Sequence, residues 1–169
     1  MLRWIGSIFL LVAASLLGER QARLERRKLE ALESVLIGLT VLEAEVSFLT
    51  SGLPEALIKA SEATPLAASL FKGAAKRIIA GISAGEAWRQ SCREWALATQ
   101  LAQRPQKVVA GLSAAFGPWR AEDMVRHIRL TQTLLTQEQE TVRPRLDSSC
   151  RLWRYLGISA GLSLVIILY

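Results

Sequence analysis

LIGLTVLEAEVSFL, residues 36–49, sets two glutamates into a run that is otherwise apolar or small. Extended back to Leu32, its apolar positions Leu32, Val35, Leu39, Leu42, Val46 and Leu49 advance by 3, 4, 3, 4 and 3 residues. That is the a/d spacing of a helix packed along one stripe. Glu19 to Thr50 contains no proline and one glycine, Gly38, so one unbroken helix is expected here. With Leu39 and Val46 at a and Leu42 at d, Glu43 falls at e and Glu45 at g, one on each flank of the seam. Residues two apart on a helix diverge by about 200°, so the two carboxylates cannot face one another as an acid/base pair. Neither has a basic residue three or four positions away. Flanking positions choose partners through interhelical charge pairs, and Arg126, His127 and Arg129 are candidate donors elsewhere in the chain. Glu43 is expected to be the more buried of the two and to bond a group on another helix. Glu45 is expected nearer the surface; a solvated flank is the alternative reading for one of them.

Working outward, every further segment also reads as helix. Ser51-Gly52 ends the first, and a short amphipathic helix begins near Leu53 with Pro54 in its first turn. Thr64-Pro65 has the form of an N-cap followed by proline at the first helical position. The helix after it offers Leu66, Leu70, Phe71, Ala74 and Ile78 to a core and stops at Gly81. Ser83 and Glu86 match the S-x-x-E capping box, ahead of Trp88, Cys92 and Trp95 at helical spacing. Arg104-Pro105 opens another helix, with Val108, Val109, Leu112 and Phe116 inward and Gly117-Pro118 as its stop. A last long helix starts near Arg120, with Glu122 and Asp123 in a first turn that favours acids. Met124, Ile128, Leu135, Val142, Leu146 and Trp153 mark its apolar positions, and Pro144 should kink or break it. The expected fold is all-α, a compact bundle of about six helices.

Two uncharged blocks bracket this bundle: WIGSIFLLVAASLLG, residues 4–18, and YLGISAGLSLVIILY, residues 155–169. Both are shorter than the roughly 20 residues of a perpendicular membrane helix, and a signal peptide is a rival for the first. Charge argues against the rival. Arg20, Arg23, Arg26, Arg27 and Lys28 follow the first block closely, while Arg143, Arg145, Arg151 and Arg154 precede the second. Basic residues stay on the cytoplasmic side, so both blocks report the same side for the middle of the chain. The organisation expected is an anchor over residues 1–18, a cytoplasmic bundle over 19–154 and a second anchor over 155–169. Trp4, Trp153 and Tyr155 serve as interfacial residues. The net charge of +6 then has a plain source, basic residues lying beside anionic headgroups.

Enzyme chemistry finds little support. His127 is the only histidine, and Cys92 and Cys150 lack any neighbouring CxxC or CxH partner for zinc. No GxxxxGK[ST] loop and no GxGxxG after a strand is present. No basic face interleaved with aromatics points to nucleic acid. No catalytic residue, metal, cofactor, nucleic acid or small-molecule substrate is expected. Trp88 and Trp95 read as core.

Three segments carry a resemblance. LTVLEAEVSFLTSGLPEAL resembles the L-x-x-LE-x-E-I stretch of the stage III sporulation protein AB family. FGPWRAEDMVRHIRL, residues 116–130, resembles its LG-x-x-D-x-x-x-Q-x-KHI-x-L segment, and WRYLGISAGLSLVIILY its closing membrane anchor. The matches keep the family's order and span nearly the full chain. Departures are Val46 for isoleucine, Arg126 for lysine, and the absence of the glutamine before His127. The resemblance implies a membrane component of the channel between mother cell and forespore, in the mother-cell membrane. It also implies a cytoplasmic domain similar to those of type II secretion inner-membrane platform proteins. The partners it implies are a secretion-type hexameric ATPase, the stage III sporulation protein AA, and other stage III sporulation membrane proteins. From another class comes a membrane-anchored helical signalling or scaffold module. That module needs heptads continuous from membrane to effector, whereas Gly52, Pro65, Gly81, Pro105 and Pro118 divide this chain into short antiparallel pieces.

Overall fold

A computed structural model describes residues 2–48, 52–117 and 121–140, with side chains from Arg23 onward except Glu25. Among the described residues six α-helices follow in order: α1 (Leu2–Ser47), α2 (Leu53–Glu62), α3 (Ala68–Ile79), α4 (Ala84–Thr99), α5 (Gln103–Gly111) and α6 (residues 121–140). A 3-10 turn, Leu112–Phe116, lies between α5 and α6, and no strand occurs among the described residues. The chain divides into two compact units, Met1–Arg27 with Glu140–Tyr169, and Lys28–Gln139. In the first, residues 2–27 are helical backbone. The expected anchor at 155–169 lies outside the described residues, as do Val142, Arg143, Pro144, Arg145, Leu146, Cys150, Arg151, Trp153 and Arg154. So do the side chains of the expected anchor at 1–18. No helix among the described residues is long and apolar enough to cross a membrane.

In the second unit the heptad seam forms the floor of the core. Leu32, Val35, Leu39 and Leu42 are buried, and Val46 packs partly buried against them; Leu49 lies outside the described residues. Each such side chain contributes roughly 1.5–3 kcal/mol of burial free energy. Beside the seam Gly38 admits the ring of Phe71 from α3, so closely that a Cβ at residue 38 would sit 2.3 Å from the ring edge. α2 begins with Pro54 in its first turn and turns Ala56, Leu57 and Ala60 inward.

The α2–α3 junction departs from the sequence expectation. Thr64 is fully buried, and its hydroxyl donates back to the Ala60 carbonyl at 2.7 Å. No side chain caps α3, whose N-cap position is taken by Ala67, three residues beyond Thr64. α3 therefore starts at Ala68, and the turn leaves Leu66 exposed where it was expected in the core. The Ala67 amide is shared between the Thr64 carbonyl at 3.2 Å and Ser34 Oγ of α1 at 3.1 Å. At its other end α3 stops as expected. Gly81 takes φ +89°, the Ile82 amide donates to Arg77 O and the Gly81 amide to Ile78 O. This is the two-bond Schellman closure that favours glycine.

α4 starts after Ser83 as expected, without the capping box. Ser83 makes no side-chain cap bond, and Glu86 turns along the helix to accept from Arg89 and from Gln90 Nε2. Those donors, Arg89 foremost, hold the Glu86 carboxyl below its ordinary value. Inward, Trp88 lies between Phe71 and Phe116, with ring centroids 5.6 and 5.2 Å away. Its indole donates to the Val109 carbonyl at 2.8 Å, and Trp95 donates to Leu66 O at 2.9 Å. Gln100, with φ 51°, closes α4 by a second Schellman pair, in which Leu101 donates to Ala96 O and Gln100 to Leu97 O. α5 ends at Gly111, sooner than expected, and the chain tightens into the 3-10 turn that brings Leu112, Ala115 and Phe116 inward.

Cys92 is buried, and its thiol faces the Gln106 carbonyl at 3.8 Å. Burial raises the thiol from 9.0 to about 11. At pH 8 almost no thiolate forms, so in a Cys150→Ser protein Cys92 should resist a polar thiol reagent until urea unfolds the bundle. Rapid modification of the native protein would contradict the burial. The unfolded thiol ionises first, so this contribution is whole below about pH 9 and is lost as pH rises to about 11.

Candidate interaction surface

The flanks of the α1 seam carry the polar groups that tie helices together. Glu43 Oε1 accepts from Arg129 Nε of α6 at 2.6 Å. One helical turn back, Gln132 of α6 lies 3.3 Å from Thr40 Oγ1. With its amide nitrogen turned to the carboxylate, Gln132 also reaches Glu43 Oε2 at 3.2 Å. The pairs 43/129 and 40/132 share one sum, as antiparallel helices require. On the opposite flank Glu45 Oε2 accepts from Lys59 Nζ of α2 at 2.7 Å. The expected contrast between the two glutamates is absent: their side chains are 19% and 21% exposed. Positions e and g border the same seam symmetrically, so each carboxylate is covered on one side by the neighbouring helix. Arg129 and Lys59 are 67% and 50% exposed, which limits each pair to about 0–1 kcal/mol.

Arg126 and His127 do not join this network by any bond in the described structure. Both lie exposed on α6, in company with Leu130 and Leu134. Buried Ile128 and Leu135 set the inward side of the same helix, and Arg129 with Gln132 its side toward α1. α6 thus has one side committed to the bundle and one side open. Of the basic residues expected at the membrane, Arg23, Arg26 and Arg27 are exposed and Lys28 is half-buried; the Arg20 side chain lies outside the description. Among the described residues no group of three His, Cys, Asp or Glu side chains gathers to hold a metal.

Thr40, Lys59 and Gln132 were not singled out from sequence. Lys59 was findable in principle, since a turn after Ser47 folds α2 back and returns a residue 14 positions on to Glu45. Gln132 needed the α1–α6 register, which nothing local encodes.

Comparison with known proteins agrees with this architecture. The sequence pattern of the family described as stage III sporulation protein AB matches residues 3–169. A solved structure, "Stage III sporulation protein AB (SpoIIIAB)", is similar in fold at a TM-score of 0.66 and 20% identity. The likeness covers 72% of this chain and 97% of that one. No curated protein matches. With all but its first two residues fitting one pattern, the chain belongs to the stage III sporulation protein AB family.

Proposed function

We propose that this sporulation protein is a non-enzymatic membrane platform of the channel between mother cell and forespore. In this reading residues 1–18 and 155–169 anchor it in the mother-cell membrane, and the bundle faces the cytoplasm. There it couples a secretion-type ATPase, the stage III sporulation protein AA, to membrane subunits of the channel. The observation that carries the reading is the two-sided character of α6. Its open side presents Arg126, His127, Leu130 and Leu134, a mixture of charge and apolar surface suited to a protein partner. Its other side is bonded to α1 through Glu43 and Thr40. A displacement of α6 is therefore felt by α1, the helix whose N-terminal end carries the first hydrophobic block. Glu43 and Glu45 are engaged within the chain, which supports a reading in which the ATPase meets α6 and not these carboxylates.

The test uses the detergent-solubilised full-length chain and the ATPase in a co-purification. Leu130→Glu combined with Leu134→Glu should abolish retention of the ATPase. Glu43→Gln and Glu45→Gln should leave retention unchanged and cost about 0–1 kcal/mol each in urea unfolding. Undiminished retention by the leucine double variant would remove α6 from the contact.

A further inference from the structure

Charge is unevenly distributed over Lys28–Gln139. Residues 30–62, the end of α1 with α2, carry six glutamates and one lysine, a net of −5. Residues 63–117, from α3 through the 3-10 turn, carry seven Lys or Arg and two glutamates, a net of +5. Both of those glutamates are already compensated locally, Glu86 by Arg89 and Glu94 by Arg77. Two exposed helix faces carry part of this imbalance, two like charges each. On α2, Glu55, Ile58 and Glu62 recur at spacings of three and four, and all three are exposed. On α3, Lys72, Lys76 and Ile79 recur at spacings of four and three, again all exposed. Each stripe runs along two helical turns and holds two like charges with one isoleucine. Their signs are opposite.

One copy cannot bring its own two stripes together. α2 and α3 pack on each other, and Ala56, Leu57 and Ala60 of the one and Leu70, Phe71 and Ala74 of the other are buried in the core. The stripes lie opposite those buried faces. We infer that copies of the chain associate head to tail, the Glu55–Ile58–Glu62 stripe of one docking on the Lys72–Lys76–Ile79 stripe of the next. A second copy is the occupant because the same chain supplies the complementary charge in equal amount. Opposed charges set orientation and speed encounter, while the isoleucines supply apolar contact. Such a contact joins two different patches, so it leaves one stripe of each kind open and propagates into a ring or a filament.

The experiment is sedimentation velocity on the full-length chain in uncharged maltoside micelles over a range of protein concentrations. Salt is set to about 0.02 M and about 0.5 M, on either side of the ~10 Å screening length at 0.1 M. Wild type should form concentration-dependent oligomers that weaken at least ~10-fold at the higher salt, as screened ion pairs do. Glu55→Lys with Glu62→Lys, and Lys72→Glu with Lys76→Glu, should each remain single. An equal mixture of these two variants should associate again, because each presents the sign the other now lacks; recovery also shows that both are folded. A wild type that stays single throughout, a charge reversal that leaves association intact, or a mixture that fails to recover overturns the inference. So does a basic stripe needed only for binding anionic vesicles, which assigns it to lipid headgroups.

Discussion

Trp88→Ala should lower the unfolding free energy by about 3–5 kcal/mol, the range for a large aromatic removed from a packed core. Trp88 is fully buried and contacts Phe71 and Phe116 on its two sides, so its loss leaves a cavity that neither rigid neighbour can fill. It also strips the Val109 carbonyl of its indole donor. That carbonyl lies in the last turn of α5 and then keeps only the Leu112 amide that closes the helix. Trp88→Phe separates the two effects. It keeps most of the volume and should cost about 0.5–1.5 kcal/mol, the net worth of one intramolecular hydrogen bond. Urea titration followed by far-ultraviolet circular dichroism measures both. A Trp88→Ala loss below about 1 kcal/mol would be too small for a truncated core aromatic and would refute the packing described.

Gly38→Ala is the second large effect, and its sign depends on a partner. In a solvated helix the change stabilises by roughly 0.5–1 kcal/mol. Here the added methyl would overlap the Phe71 ring at 2.3 and 2.4 Å and crowd Thr64 at 3.1 Å. The ring is held in turn by Trp88, so it cannot yield freely, and overpacking of this kind costs about 1–3 kcal/mol. Placed in a Phe71→Ala background, the same substitution should become neutral or stabilising by up to about 1 kcal/mol. Destabilisation of equal size in both backgrounds would mean that the ring is not what excludes the methyl.

These two sites show what could be read in the sequence and what could not. The a/d spacing from Leu32 to Val46 reports burial directly, because periodicity on a helix is a local property. The Gly81 stop was equally legible, since only a residue tolerant of positive φ closes a helix that way. Capping failed at both places where it was inferred. Thr64 and Ser83 carry the right side chains, but a cap needs the hydroxyl oxygen placed to accept from the next helix's amides; α3 starts only after Ala67, and Ser83 makes no such bond. Gly38 looked like a tolerated interruption; its purpose lies in Phe71, 33 residues away, and pairings at that distance leave no mark on either segment alone. For the candidate surface, the flanking glutamates were visible as heptad positions, whereas Lys59, Thr40 and Gln132 depend on how whole helices are aligned.

The bond from the Ala67 amide to Ser34 Oγ spans 33 residues and bears on how the chain emerges from the ribosome. α3 lacks a side-chain cap of its own, and the amide of its N-cap residue is shared between the local Thr64 carbonyl and a hydroxyl on a helix made earlier. Synthesis supplies the acceptor first, at a few to tens of residues per second, so Ser34 is already in place when residues 64–71 appear. Vectorial growth thus suits this order of docking. A circular permutant that moved α1 behind α6 would leave the Ala67 amide with its Thr64 partner alone until the last segment was made.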